Sequence, residues 1–208
     1  MSDSTSIKTA LLAQIQQLDP QDALLPSGHP EIDEAIAQLE PLTPIAQPLD
    51  SEHWSQLLGT WTLIYASRGT VVTRRINQPS SFELPKVQIQ QVWQTLSSEA
   101  GQLLTENGAK LILPVLGSLK LLAHGVWTPT DDQTATVTFH KFVFQLTVST
   151  LGWQLPQLTL PIPSFWQREA TWITSYLDHN LRFGRGATGN LFVFVKDAPT
   201  QTLPSDGL

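Results

Sequence analysis

Apolar residues recur at helical spacing at the start of the chain and at alternating spacing from residue 58 onward. Ile7, Leu11, Leu12, Ile15 and Leu18 repeat at three- and four-residue steps, which predicts an amphipathic helix over roughly residues 5–18. Pro20 stops it. Pro30 suits a first helical position, with Glu31, Asp33 and Glu34 at the end that favours negative charge. Ile32, Ile36 and Leu39 then form one stripe, closed by Pro41. A Pro-rich connector covers residues 41–50, and Asp50 or Ser51 can cap a short third helix carrying Trp54 and Leu57.

From Leu58 the period becomes two. Trp61, Leu63 and Tyr65 are expected on one face of a strand, and Val87, Ile89 and Trp93 on one face of the next. Residues 103–113 read as strand around an Asn107-Gly108 turn. Residues 119–127 and 135–148 continue the meander, with Asp131-Asp132 between them. In the second of these the apolar face switches from Ala135, Val137 and Phe139 to Phe142, Phe144, Leu146 and Val148, which predicts a one-residue bulge near His140. Residues 158–166 hold too many prolines for a central strand and read as an edge or flap. Residues 172–183 and 191–196 finish the sheet, joined through Gly184, Gly186 and Gly189. About eight short strands without crossover helices predict a mainly β fold, an antiparallel up-and-down barrel with N-terminal helices. The expected divisions are a helical segment at 1–57, a barrel at 58–196 and a polar tail at 197–208.

Composition narrows the function. The chain has 208 residues, fifteen prolines, seven tryptophans and no cysteine, so thiolate metal sites and thiol nucleophiles are excluded. Net charge is −6, with nine acids and one base in residues 1–52, so no basic footprint for nucleic acid is present. The longest apolar run, residues 111–123, is interrupted by Pro114, Gly117 and Lys120 and is too short to span a bilayer as a helix. The N-terminus carries neither a signal core nor an Arg-rich transit character.

No catalytic constellation emerges, and the chain reads as a non-enzyme. The five histidines have no paired ligand spacing, so no metal is expected. Asp178 and His179, adjacent on a predicted strand, point to opposite faces and cannot work as orienter and base. Gly184-Arg-Gly186-Ala-Thr-Gly189 has dinucleotide-loop spacing, but the β-rich residues after it cannot supply the helix that such a loop needs. The aromatic residues are more informative. Tyr65, Trp93, Trp127 and Tyr176 are candidates for a barrel wall facing an apolar ligand. Trp153, Phe165 and Trp166 flank the Pro-rich run and, with the basic residues Arg68, Arg74 and Arg75, are candidates for contact with an anionic membrane surface.

The segment Tyr176-Leu-Asp-x-x-Leu-Arg-x-x-Arg-Gly-x-x-Gly-Asn-Leu-Phe-Val193 resembles the C-terminal signature of the fibrillins, also called plastid lipid-associated proteins. The stretches 58–65, 32–40 and 155–163 resemble further family segments in the same order. The Gly59-Thr-Trp61 strand opening is lipocalin-like. The resemblance implies a non-catalytic protein that binds or sequesters hydrophobic small molecules such as a carotenoid, quinone or lipid. It also implies peripheral association with thylakoid membranes or lipid globules and a part in photoprotection, in a cyanobacterial cytoplasm or a plastid. In lipocalin-like barrels an arginine on the last strand closes one end over the first-strand tryptophan, which here implies Trp61 with Arg182 or Arg185. The alternatives are a bilin-binding chromophore lyase for phycobiliproteins on a similar barrel, and a structural coat protein on lipid bodies whose barrel interior is filled by side chains.

Overall fold

The computed structural model describes residues 2–25, 28–68, 87–148 and 153–198. Four helices come first: α1 (Ser2–Gln17), α2 (Pro20–Leu24), α3 (Pro30–Leu39) and α4 (Trp54–Leu57). Ten strands follow: β1 (Gly59–Ala66), β2 (Gln88–Glu99), β3 (Gln102–Leu113), β4 (Gly117–Pro129), β5 (Thr134–Val148), β6 (Trp153–Gln154), β7 (Leu158–Pro161), β8 (Glu169–Leu177), β9 (Leu181–Gly186) and β10 (Leu191–Lys196). The change of period at Leu58 thus marks the change from helix to strand.

All pairings are antiparallel. The order β4-β3-β2-β1-β10-β9-β8-β5 is closed by pairing of β5 with β4, so eight strands form a hydrogen-bonded ring. β8 covers β5 only over Thr134–Thr138; beyond that, β7 and β6 take its place along β5. The Pro-rich run therefore forms the flap-like edge expected of it. β1 and β2 pair only between Gly59–Thr62 and Trp93–Leu96 and then separate. There the Gln21 side chain of α2 replaces a strand, accepting from Ile89 N at 2.9 Å and donating to Ile89 O at 2.7 Å. Asp19 holds that helix in place by capping Gln21 N at 2.8 Å.

Bulges decide which side chains face the ring interior. An extra residue in one strand reverses the phase of everything after it. His140 is the extra residue in β5, as the switch of apolar face predicts. Three further bulges, at Ile64 in β1, Gln90 in β2 and Ser175 in β8, were not anticipated. They send Tyr65, Trp93 and Tyr176 outward, while Leu63, Val92, Gln94 and Leu177 face inward.

Two cores result. The inner one contains Trp61, Leu63, Leu96, Leu103, Leu111, Trp127, Ala135, Val137, Leu177 and Phe194, joined by Leu24, Leu49 and Leu57 from the N-terminal region. The outer one lies between the ring and the helices. Leu11, Ile15, Ile32, Ile36 and Leu39 of α1 and α3 pack on Tyr65, Tyr176, Leu181, Phe183, Leu191 and Val193. Its edges are fixed by charge. Arg185 forms a bidentate pair with Glu40, both bonds at 2.6 Å, and Lys8 meets Asp178 at 2.6 Å.

Two expected features are corrected by neighbours in space. Asn107-Gly108 is not a turn: β3 runs straight through it and turns at Ala100-Gly101, both with positive φ. Residues 172–183 are not one strand: Asp178 turns the chain by accepting from Asn180 N and Leu181 N at 2.9 and 2.8 Å. The turn also leaves His179 exposed, 3.9 Å from that carboxylate and beyond hydrogen-bond reach. Gly108 and Gly184 serve as seats for indoles. A Cβ at Gly108 would stand 2.0 Å from the Trp93 ring, and one at Gly184 1.9 Å from the Trp172 ring.

Two outcomes follow from this packing. Gly184→Ala is expected to destabilise the fold by about 1–3 kcal/mol through overpacking against Trp172, measured by urea denaturation; an unchanged midpoint would contradict the close seat. Burial opposes ionisation of Asp178, but Lys8, the Asn180 and Leu181 amides and the Tyr176 hydroxyl outweigh it and hold the carboxyl below its ordinary value. A depressed folded-state pKa stabilises above the unfolded value of about 4 and is lost as pH falls through the folded value. Acid unfolding of Asp178→Asn should therefore show a shallower loss of stability below about pH 4.

Candidate functional site

The ring has one closed end and one open half, and the boundary between them is the candidate site. At the closed end Arg182 is fully buried among aromatic rings. Its Cζ lies 4.9 Å from the centroid of Trp61, 4.6 Å from Phe194 and 6.0 Å from Trp127. A second cation, Lys196, sits 5.0 Å from the Trp61 ring and donates to Gln56 O at 2.7 Å. Trp61 Nε1 donates to Leu57 O at 2.8 Å, tying the ring to α4. Burial lowers the Arg182 pKa to about 9, so the group remains a cation at neutral pH. Nε and Nη1 have no hydrogen-bond partner among the described residues, and the surrounding π-faces supply part of their stabilisation.

One nitrogen is bonded. Arg182 Nη2 donates to Gln94 Oε1 at 2.5 Å, Gln94 Nε2 donates to Asn107 Oδ1 at 2.9 Å, and Thr105 Oγ1 donates to the same Asn107 oxygen at 3.1 Å. Above these residues an aromatic floor crosses the ring. Trp172 stacks on Phe192 at 5.3 Å and meets Trp127 at 5.8 Å and Phe194 at 6.0 Å.

Beyond this floor the inward-facing side chains stay apolar but are no longer dry. Strand register places Ala123 beside Phe142 and Leu121 beside Phe144 on the inner face. Phe142 and Phe144 in turn lie beside Leu160 and Leu158 of β7. Phe142 is 40% exposed, Leu160 44% and Leu158 55%, whereas Trp61, Leu96 and Trp127 are at 0–1%. The rim continues the same chemistry. The β3–β4 tip presents Val115 and Leu116, Gly117 beside it pairs with Val148, and Val148 pairs with the exposed Trp153. Val115 holds φ at 72°, a conformation β-branched residues rarely adopt. Leu155 and Phe165 extend the exposed apolar surface.

The residues predicted from sequence divide accordingly. Trp61 and Arg182 meet at the closed end, while Arg185 faces outward to Glu40. Among the four wall candidates, Trp127 alone faces inward. Tyr65 and Tyr176 are corrected to the outer core, where their hydroxyls donate to Asp33 at 2.8 Å and Asp178 at 2.9 Å. Burial and these carboxylates push both phenol pKa values well above the usual range. Trp93 is corrected to an open outer groove of about 570 Å³ shared with Gln91, Lys110 and Lys120. Arg68 donates to Thr188 O at 3.1 Å. Arg74, Arg75 and the side chain of Trp166 lie outside the described residues; Trp153 and Phe165 stand on the apolar rim. Sequence reasoning missed Gln94, Asn107, Trp172 and Phe192. It also passed over Phe142 and Phe144 as wall residues, although the bulge at His140 already implied that they face inward.

Among the described residues no cluster of three or more His, Asp or Glu side chains could hold a metal, and no helix is long and apolar enough to cross a membrane. Arg182→Ala should cost roughly 2–5 kcal/mol, through the cavity it leaves and the stranded Gln94 acceptor. Arg168→Ala, at an exposed position, should stay within about 0.5 kcal/mol. Urea denaturation of both variants checks this, and equal midpoints would contradict it.

Residues 6–195 of the chain match the family model described as PAP_fibrillin. Neither the search of curated proteins nor that of solved structures found a match. A match over nearly the whole chain, from within α1 through the strand ring into β10, shows that the protein belongs to the PAP_fibrillin family of lipid-associated structural proteins.

Proposed function

We propose that this protein is a non-catalytic carrier or sequestering protein that holds a carotenoid, quinone or lipid in the open half of its ring. The observation that supports this most directly is the exposure of inward-facing apolar side chains: Phe142, Leu158 and Leu160 line an interior left uncovered in its upper half. Exposed apolar surface of this extent is costly in a soluble monomer and marks a binding site. An aromatic floor and aliphatic walls suit a long apolar body, with few buried charges to desolvate.

The same mouth is proposed to rest on a lipid surface, such as a thylakoid membrane or a lipid globule. Val115, Leu116, Trp153 and Phe165 form a rim that can enter the headgroup region without spanning the bilayer. A ligand held in the open half would then pass between ring and lipid without crossing water.

The test is uptake of a carotenoid or prenylquinone from lipid vesicles, with bound ligand read by native mass spectrometry. Wild type should load saturably with about one ligand per ring, as the interior of eight strands allows. The double variant Leu158→Asp, Leu160→Asp should lose most of that uptake. Its unfolding free energy should change by about 1 kcal/mol or less, because both positions are exposed. Uptake that is non-saturable, or unaltered in the double variant, would overturn the reading.

A further inference from the structure

Every hydrogen-bonding group in the chain that begins at Arg182 has its direction fixed by the first. A guanidinium can only donate, so the Gln94 atom that meets it must be the carbonyl oxygen. The Gln94 amide nitrogen therefore points onward and donates, and the Asn107 atom it reaches must be an oxygen. The Thr105 hydroxyl donates to that same oxygen. What remains of Asn107 is its Nδ2 group, which has no partner among the described residues.

The register says where that group stands. Asn107 occupies the inner face between the buried residues Thr105 and Ala109, and it is itself partly exposed. Its row across the sheet runs Gln94, Asn107, Ala123, Phe142, Leu160. The last three are the apolar, partly or largely exposed side chains of the open half. Asn107 is thus the point at which the buried polar chain reaches the open interior. Arg182 supplies the charge behind it: its Nε and Nη1 have no hydrogen-bond acceptor among the described residues, and each amide in the chain polarises the next.

We propose that Asn107 Nδ2 is the polar anchor of the open half, and that the ring selects apolar molecules bearing an acceptor oxygen at one end, held head-down against Asn107. This rests on the ligand-holding reading above and deepens it. The shared chemistry is a carbonyl or carboxylate oxygen on a hydrophobic body. A hydrocarbon of the same shape leaves the Asn107 donor facing carbon.

The experiment is isothermal titration calorimetry of the full chain with three probes: a decyl-substituted benzoquinone, dodecanoic acid and decylbenzene. Wild type should bind one or both oxygen-bearing probes roughly tenfold more tightly than decylbenzene, the net advantage of about one hydrogen bond. Preference for the acid alone marks a carboxylate head, and preference for the quinone marks a neutral carbonyl; either supports the proposal. Asn107→Leu should bind all three with similar affinity. Should that variant fold poorly, Asn107→Asp keeps acceptors for Gln94 and Thr105 but lacks the donor, and it should lose the preference in the same way. Equal binding of all three probes by wild type, or a preference that survives both substitutions, overturns the anchor while leaving the carrier reading intact. Binding of none of the three overturns both.

Discussion

The burial of one guanidinium sets the character of this molecule. Arg182 lies inside a ring of strands without a carboxylate beside it among the described residues. Such a charge is tolerated only because the site is built around it: Trp61, Phe194 and Trp127 offer π-faces, and Gln94 offers an oxygen. The arrangement ties β1, β2 and β4 to β9 and β10 at the other end of the strand sequence. It fills one end of the ring and leaves the interior beyond it to different chemistry.

The N-terminal helices act from outside. α1 and α3 cover the outer face of β1, β8, β9 and β10, and their apolar stripes bury Phe183 and the two tyrosines, Tyr65 and Tyr176, that the bulges turn outward. The ion pairs Lys8–Asp178 and Arg185–Glu40 fix the edges of that contact. α2 fills the place where β1 and β2 part, with one glutamine satisfying backbone groups that a strand would otherwise pair. The helical region is thus packed as part of the ring's own cores, and the family match runs through both parts.

The two ends therefore differ in kind. At the closed end the core is dry and aromatic-rich, with its polar atoms arranged in a directed chain. In the open half the walls remain hydrophobic but meet solvent, and the rim adds Trp153, Leu155, Val115 and Leu116. Burying those side chains against a ligand or a lipid surface would gain what the folded chain alone leaves ungained.

The alternation of apolar residues by itself determined that helices precede an antiparallel strand ring, that the boundary lies at Leu58, and that β5 carries a bulge at His140. Those features depend on local periodicity, and periodicity is written in consecutive residues. The motif around Tyr176–Val193 carried the family as well, and the pairing of Trp61 with Arg182 or Arg185 came through it; the structure chose Arg182. The inner wall was decided by tertiary structure. The bulges at Ile64 and Ser175 leave no mark in their mixed runs, and the one at Gln90 shows only as the doubled Gln90-Gln91; each reverses a face, and together they moved Tyr65, Trp93 and Tyr176 outside. Asn107-Gly108 reads as a turn in isolation, because its preference for tight turns is local. In the ring Gln94 and Thr105 claim the asparagine side chain and Trp93 covers the glycine, so the strand continues through them. Contacts across the β2–β3 pair overruled the local preference, and only the paired strands in the folded sheet bring those side chains together.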